Sequence, residues 1–232
     1  MLKNPILKAP FFEIGPKTYL YGEDLMQLAL DVDAAAAKYG VQVIFTAPFA
    51  DIYRISQATD NLIVLAPHMD AIRPGRGVAD ILPEAVKAAG AQGVMLNHAE
   101  KPLTYSQIKA TIERAEELDL LTVVCSDSIA EAKSVALLNP DVIVAEPTEL
   151  IGTGQSSDLS YVKATLEVIH GVNPNILVLQ GAGISGPEDV YKVIEAGADA
   201  TGSSSSVCLA ENPGEMATAM IAAARKAWDQ AN

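Results

Sequence analysis

The chain has 232 residues, half of them hydrophobic, and a formal net charge of −13 at pH 7. The acidic surplus argues against nucleic acid or an anionic membrane as partner, because both carry dense negative charge. No run approaches the roughly 18 consecutive apolar residues of a membrane-spanning helix, so the positive mean hydropathy of +0.21 indicates a large buried core.

Eight short apolar runs alternate with longer, Ala-rich segments of helical periodicity. The runs predict strands at residues 10–14, 41–45, 62–66, 93–96, 121–125, 142–145, 176–179 and 198–201. Most are continuously apolar, as in parallel strands covered on both faces, and several helical segments end at a glycine just before the next strand. Eight such units predict a closed α/β barrel, (β/α)₈, over residues 1–232 as one domain. A doubly wound open sheet is the alternative.

Two connections that follow predicted strands are unusually long. One covers residues 67–83 after the third strand, and the other starts at Glu146 after the sixth. In a (β/α)₈ barrel, the loops after the strands lie on the catalytic face. These two connections are therefore candidates for function.

Glu146 ends the sixth strand in the stretch AEPTELIGTG, residues 145–154. In a barrel this position directs a carboxylate into the mouth of the active site, although a helix N-cap or a surface acid is the alternative. Pro147 restricts one end of the following loop, while Gly152 and Gly154 permit unusual backbone angles at the other. The segment is predicted to be a hinged lid that excludes water from chemistry at Glu146.

His98 closes the fourth strand in VMLNHAEK, beside Glu100. It lies on the same predicted face as Glu146, and an imidazole opposite a carboxylate base suits proton abstraction next to a carbonyl. The alternative is that His98 is a polar side chain at the strand end whose hydrogen bonds are satisfied and which has no catalytic role. The other histidines, His68 and His170, have no comparable setting.

Lys17 and two Gly/Ser-rich turns are candidates for binding an anion. Lys17 follows the first strand in EIGPKTY, where it is either a solvated lysine or a counter-ion for an anionic substrate or enediolate. The turns QGAGISG, residues 180–186, and TGSSSS, residues 201–206, follow the seventh and eighth strands. Barrels often hold a phosphate group there on backbone N–H groups.

The cysteines and the N-terminal segment indicate the compartment. Cys125 and Cys208 lie in apolar surroundings, and two cysteines supply neither a disulfide framework nor a metal site. Residues 1–10, MLKNPILKAP, lack the hydrophobic stretch and cleavage site of a signal peptide. We therefore expect a reduced, cytoplasmic protein.

In this order, these segments resemble the triosephosphate isomerase family, and most of all its compact archaeal-type branch. AEPTELIGTG is similar to the family's catalytic glutamate and flexible lid, and LNHAEK to its catalytic histidine segment. GAGISGPEDV and the Ser-rich turn near residue 204 are similar to its two phosphate-binding loops. The resemblance covers essentially the whole chain. It implies a TIM barrel and a cofactor-independent aldose–ketose isomerase of glycolysis and gluconeogenesis.

The resemblance also implies a role for each residue at a matching position. Glu146 would transfer a proton between adjacent carbons of a small phosphorylated sugar, and neutral His98 would polarise the carbonyl group. Lys17 would be the electrostatic partner of the substrate, and Glu100 a supporting acid. The phosphate-binding N–H groups would belong to Gly152, Gly183, Ser204 and Ser205.

Three positions depart from the family pattern. Gly15 stands where asparagine is usual, Ala99 where serine is usual, and Pro67 where a polar residue is usual. The first change removes a side-chain donor beside the reactive oxygens, and the second removes a partner of the base. Three functions stay open: triosephosphate isomerase, an isomerase of a four-carbon ketose phosphate, and a non-catalytic sugar-phosphate-binding paralogue. An aldolase or synthase is disfavoured because no lysine ends the sixth strand.

The connection at residues 67–83 has its own implication. Its counterpart in the family docks into a neighbouring subunit, so the resemblance implies a homodimer or homotetramer. A surface loop is the alternative.

Overall fold

Eight parallel strands form a closed barrel in the computed structural model, which describes residues 7–147, 159–181 and 183–231. The strands are β1 (Phe11–Ile14), β2 (Gln42–Thr46), β3 (Leu62–Ala66), β4 (Gly93–Leu96), β5 (Leu121–Ser126), β6 (Val142–Ala145), β7 (Leu177–Gln180) and β8 (Ala200–Ser203). Each strand pairs with the next, and β8 pairs with β1 to close the barrel. The predicted (β/α)₈ barrel is confirmed, and the open sheet is excluded.

Helices follow the strands around the outside of the barrel. Those in the described part of the chain are α1 (Gly22–Tyr39), α2 (Ile52–Ala58), α3 (Pro83–Ala88), α4 (Tyr105–Glu117), α5 (Ile129–Ala136), α6 (Leu159–Val172), α7 (Pro187–Glu195), α8 (Ser205–Cys208) and α9 (Pro213–Ala231). None of these helices is long and apolar enough to span a bilayer. Sequence-local signals set their ends: Thr104 and Gln107 form a capping box at the start of α4, and Gly40 ends α1 with φ +61°.

The barrel wall separates two apolar layers, because successive side chains of a strand point to opposite faces. In β1, Phe11 belongs to the layer inside the barrel, and Phe12 and Ile14 belong to the layer under the helices. By this alternation Glu13 lies on the inner face, above Phe11. A charged residue on that face comes to the C-terminal end of the barrel, where the loops after the strands meet.

Several strand boundaries lie one or two residues later than the apolar pattern predicts. Val41 and Ala198 fall in predicted strands, but their N–H groups donate to Ala36 and Val193, each at 3.3 Å, and thereby close the preceding helices. At the other end, polar residues continue the strands. These residues are Thr46, Ser126, Gln180 and Ser203.

The connection at residues 67–83 is folded back and anchored to α4. The Asp70 carboxylate accepts a hydrogen bond from the Ile81 N–H group (2.7 Å). Arg114 of α4 donates to the Ile72 carbonyl oxygen (3.1 Å), and Arg73 pairs with Glu117 (2.6 Å). These bonds fix the path of the connection over the barrel.

Replacing Arg114 with methionine is expected to lower the free energy of unfolding by about 1–3 kcal/mol. The Arg114 side chain is only 7% exposed and pairs with both Glu84 and Glu117, so its loss leaves the Ile72 carbonyl oxygen and the Glu84 carboxylate without this donor, while Glu117 keeps only Arg73. Urea unfolding measures the change. The control is Lys109→Met, which removes an ion pair with exposed Glu113 on the same helix and should change stability by less than about 1 kcal/mol. Equal stability of the two variants would contradict the anchoring role.

Candidate active site

A cavity of about 580 Å³ opens at the C-terminal ends of the strands. The predicted site residues that lie on its wall are Lys17, His98, Glu100, Glu146 and Ser204. They come from the connections after β1, β4, β6 and β8. Parallel strands bring these connections to one end of the barrel, so residues far apart in sequence meet in one cavity.

The Glu146 carboxyl group lies on the cavity wall, directly after β6. Its N–H group donates to the Ser126 carbonyl oxygen (3.0 Å), which continues the pairing of β5 and β6 by one residue. A Cβ atom on Gly181 would lie 3.3 Å from Glu146 Cδ, so the glycine leaves room for the carboxyl group. Burial raises the pKa of Glu146, while the charge of Lys17 opposes the rise. A raised pKa makes the carboxylate a stronger proton acceptor.

His98 is held as a neutral imidazole. Its Nδ1 atom accepts a hydrogen bond from the Glu100 N–H group (3.1 Å), so the ring proton belongs on Nε2. Burial lowers the pKa of His98, and the charge of Lys17 lowers it further, against the effect of Glu100. The ring can therefore donate a hydrogen bond from Nε2 without becoming charged.

Asn97 holds the turn that carries His98. Its backbone is left-handed, with φ +57°, and its Oδ1 atom accepts from the Leu103 N–H group (2.9 Å). Its Nδ2 atom donates to the Cys125 carbonyl oxygen (2.9 Å) and to Glu131 (3.1 Å). The turn after β4 is thereby tied to β5 and α5, which fixes the position of the imidazole.

Lys17 links the connections after β1 and β4. Its Nζ atom donates to Glu100 Oε1 at 2.8 Å, and its side chain is 22% exposed. The hydrogen bond from Lys17 lowers the pKa of Glu100. Lys17 also has a left-handed backbone, with φ +49°, a strained conformation of the kind that concentrates at functional sites. Its charge acts on both Glu146 and His98.

The two Gly/Ser turns lie side by side at the same end of the barrel. Ser204 is on the cavity wall, and its hydroxyl group donates to the Gly15 carbonyl oxygen (2.5 Å). Ser206 donates to the Ile184 carbonyl oxygen (2.9 Å), which joins the turn after β8 to the turn after β7.

The structure places the four predicted phosphate-binding residues differently. Ser204 lies on the cavity wall, whereas Gly183, with φ +72°, and Ser205 lie in the adjoining turns and not on the wall. Gly152 and the predicted lid from residue 148 onward lie outside the described residues. The role of these positions therefore stays a prediction.

The three departures from the family pattern all surround the same site. Gly15 and Pro67 lie on the wall of the main cavity. Ala99 lines an adjoining cavity of about 220 Å³, and Glu146 and Cys125 line both cavities. The described part of the chain gives the Glu146 carboxyl group no hydrogen-bond donor, in keeping with an alanine at position 99.

Glu13, Thr46 and His68 are among the polar residues on the cavity wall that the sequence interpretation missed. Thr46 Oγ1 donates to Glu13 Oε1 (2.7 Å), and His68 Nε2 lies 3.2 Å from Asp70 Oδ1. Burial raises the pKa of Glu13 to about 7, with the Thr46 hydrogen bond opposing the rise and the charge of Glu146 adding to it. One signal was available: a charged residue inside the otherwise apolar strand FFEI.

No group of His, Cys, Asp and Glu side chains in the described part of the chain is arranged to hold a metal ion. The polar groups on the cavity wall are carboxyl groups, lysines, histidines and hydroxyl groups. This set can move protons and bind an anionic substrate.

Comparison with known proteins identifies relatives over nearly the whole chain. A family model described as triosephosphate isomerase matches residues 14–220. A triosephosphate isomerase of Methanobacterium bryantii is 40% identical over 215 residues, 90% of this chain and 95% of the relative. One of Sulfurisphaera tokodaii is 36% identical over 228 residues, 97% of this chain and 99% of the relative.

A solved structure shares the fold. The crystal structure of triosephosphate isomerase from Bartonella henselae matches with a TM-score of 0.77, covering 94% of this chain and 99% of that one. At 14% sequence identity, this likeness concerns the barrel alone.

Proposed function

The chain belongs to the triosephosphate isomerase family, and from this premise we propose that its cavity interconverts glyceraldehyde 3-phosphate and dihydroxyacetone phosphate without a cofactor. One observation carries the proposal: the Glu146 carboxyl group and a neutral His98 line the same cavity. A carboxylate base and an uncharged electrophile are the two groups that an aldose–ketose isomerisation requires.

Glu146 is the proposed base. Its carboxylate removes a proton from the substrate carbon next to the carbonyl group, leaving an enediolate, and returns the proton to the neighbouring carbon. The raised pKa of Glu146 supports this role, because it brings the basicity of the carboxylate closer to neutral pH. The proton of the neighbouring hydroxyl group passes to the former carbonyl oxygen in the same conversion, so one C–H and one O–H bond break and one of each forms. No oxidant or cofactor is needed.

His98 is the proposed electrophile. Its Nε2–H group donates to the substrate carbonyl oxygen and stabilises the negative charge that develops there. The hydrogen bond from the Glu100 N–H group to Nδ1 supports this role, because it assigns the donor to the free nitrogen. The lowered pKa of His98 keeps the ring neutral.

Lys17 is proposed to neutralise the anionic substrate and the enediolate. The ion pair with Glu100 supports this role, because it holds the Lys17 ammonium group at the cavity wall. Glu100 is thus a supporting residue that positions Lys17.

The phosphate group is assigned to the turns after β7 and β8. The place of Ser204 on the cavity wall supports this assignment, and backbone N–H groups of Gly183 and Ser205 are the neighbouring donors. Gly152 is proposed as a fourth donor on the family resemblance alone. A homodimer or homotetramer through residues 67–83 is proposed on the same resemblance. A cytoplasmic location is proposed from the two cysteines, which are free and buried.

Parallel assays of three- and four-carbon substrates test the assignment of substrate. We expect kcat/KM for glyceraldehyde 3-phosphate to exceed that for a four-carbon ketose phosphate by at least about tenfold, the discrimination that one extra carbon commonly allows. A higher kcat/KM for the four-carbon substrate would overturn the choice of substrate but not the mechanism. The four-carbon substrate stays an alternative because Gly15 and Pro67, which depart from the family pattern, lie on the cavity wall.

A further inference from the structure

We propose that Glu13 is a further catalytic residue, whose carboxyl Oε2 atom donates a hydrogen bond to the reacting oxygens of the substrate. The inference rests on the proposed function, because it assigns Glu13 to the same enediolate chemistry. Four features of the structure carry it: the room around the carboxyl group, its hydrogen bonding, the charges that face it, and the missing side chain at position 15.

Two glycines leave the space that the Glu13 carboxyl group occupies. A Cβ atom on Gly15 would lie 3.0 Å from Glu13 Oε1, and one on Gly202 would lie 2.9 Å from Glu13 Oε2. Gly202 pairs directly with Glu13 across β8 and β1. Neither glycine has a left-handed backbone. The Glu13 carboxyl group lies against position 15, whereas both the Glu13 carbonyl oxygen (2.8 Å) and Oε2 (2.9 Å) lie against position 202.

Hydrogen bonding leaves one oxygen of Glu13 for a ligand. The Thr46 hydroxyl group donates to Oε1, so Oε1 is the accepting oxygen and a proton belongs on Oε2. No described residue is hydrogen-bonded to Oε2, yet this atom is not among the fully buried polar atoms left without a partner. Oε2 is therefore accessible from the cavity that Glu13 lines. A substrate oxygen would satisfy it.

The charges around Glu13 favour an uncharged acid over a carboxylate. The titratable groups that act on it are Glu146 and Lys17, and it acts in turn on the thiols of Cys125 and Cys208. Burial raises the pKa of both thiols, which keeps them neutral. Burial and then the charge of Glu146 raise the pKa of Glu13 to about 7, against the Thr46 hydrogen bond and the charge of Lys17, so Glu13 holds a proton below that pH. An uncharged carboxyl group donates a hydrogen bond, whereas a carboxylate only accepts.

Glu13 supplies a donor beside position 15, which has no side chain of its own. A Cβ atom there would lie 3.0 Å from Glu13 Oε1 and 3.8 Å from Oε2, so the carboxyl group lies against the place where a side chain would begin. A donor aimed at the oxygen where negative charge develops stabilises the transition state more than the bound substrate. The proton stays on Glu13 throughout, so its role is to stabilise charge, while Glu146 transfers protons.

The test compares Glu13→Val and Glu13→Gln with wild type and with Glu113→Gln, an exposed control on α4. Valine removes the donor, and kcat is expected to fall by about 10²–10³-fold. Glutamine keeps the shape and donates from its amide, so its loss is expected to be below about tenfold. Unfolding temperatures check that each variant is folded.

The pH profile separates this role from a structural one. Wild-type kcat is expected to fall as pH rises through the pKa of Glu13, because the proton on Oε2 is lost; the pKa in the free protein is about 7. Glu13→Gln, which has no such proton, is expected to lack this fall. If Glu13→Val does not fold, the pH profile of kcat for Glu13→Gln alone tests the role of Glu13.

Binding of 2-phosphoglycolate gives a readout that does not depend on turnover. Its carboxylate mimics the enediolate oxygens, and Glu13→Val is expected to weaken binding at least tenfold. An inactive wild type would refute the proposed function and the catalytic role of Glu13 with it, and this difference in binding would then show that Glu13 is a ligand-binding residue only. An active wild type whose kcat and phosphoglycolate affinity are within twofold of those of Glu13→Val would overturn the Glu13 role alone. The same alkaline fall in Glu13→Gln would overturn it as well.

Discussion

Replacing Glu146 with alanine is expected to lower kcat by about 10²–10⁴-fold or more, the usual contribution of a general base. The carboxyl group lies at the cavity wall with a raised pKa, and Gly181 leaves room for it, so the variant loses the proposed proton acceptor without disturbing the barrel. Affinity for 2-phosphoglycolate should fall far less, because the phosphate contacts are assigned to other turns. Steady-state kinetics and calorimetry measure the two effects.

Glu116→Ala is the control for this variant, because Glu116 is exposed on α4 and outside the cavity. It should retain wild-type kcat. A Glu146→Ala protein that keeps kcat within tenfold of wild type would show that another group is the base.

Replacing Lys17 with methionine is expected to lower kcat/KM by about 10²–10³-fold, the loss that follows removal of one electrostatic stabiliser. KM should rise, because an anionic substrate loses its counter-charge. The change should also act through Glu146: Lys17 lowers the pKa of this carboxyl group, so without Lys17 that pKa rises.

A base works only when deprotonated, so the acidic fall of the Lys17→Met profile should move to higher pH. The pKa of His98 should rise as well, since Lys17 also lowers it, and protonation of His98 extends the loss in the same direction. Lys109→Met, on the surface of α4, is the matched control. An unmoved acidic fall together with kcat/KM within threefold of wild type would contradict the electrostatic role.

The barrel could be predicted because its strands are continuous apolar runs. The strand boundaries could not be predicted fully, because apolar character does not mark either the first or the last residue of a strand. Val41 and Ala198 are apolar, yet they complete the hydrogen bonding of the preceding helices. Thr46 and Gln180 are polar, yet they continue strands because neighbouring elements give their side chains partners: Glu13 on β1 for Thr46 and Thr165 on α6 for Gln180.

Part of the site could be predicted for a related reason. Glu146, His98 and Lys17 follow strands, and in a parallel barrel all such residues meet at one end. Family membership is confirmed by relatives that cover most of the chain, whereas the roles of individual residues stay proposals.

The sequence marks Glu13 only as a charged residue within an apolar strand, and its surroundings could not be predicted because they come from other strands. Thr46 on β2 donates to it and Gly202 on β8 leaves room for it, and neither neighbour is visible in the local sequence. The glycine at position 15 reads in the sequence as a lost donor. In the structure, the glycine leaves room for the carboxyl group of Glu13.

Deuterium uptake from heavy water tests the central claim most directly. Wild-type protein is mixed with dihydroxyacetone phosphate in deuterated water, and exchange at the carbon next to the carbonyl group is followed by NMR. The proposed mechanism predicts steady incorporation by wild type and almost none by Glu146→Ala. Tight binding of 2-phosphoglycolate without any incorporation by wild type would contradict it, and would identify a sugar-phosphate-binding barrel that does no proton transfer.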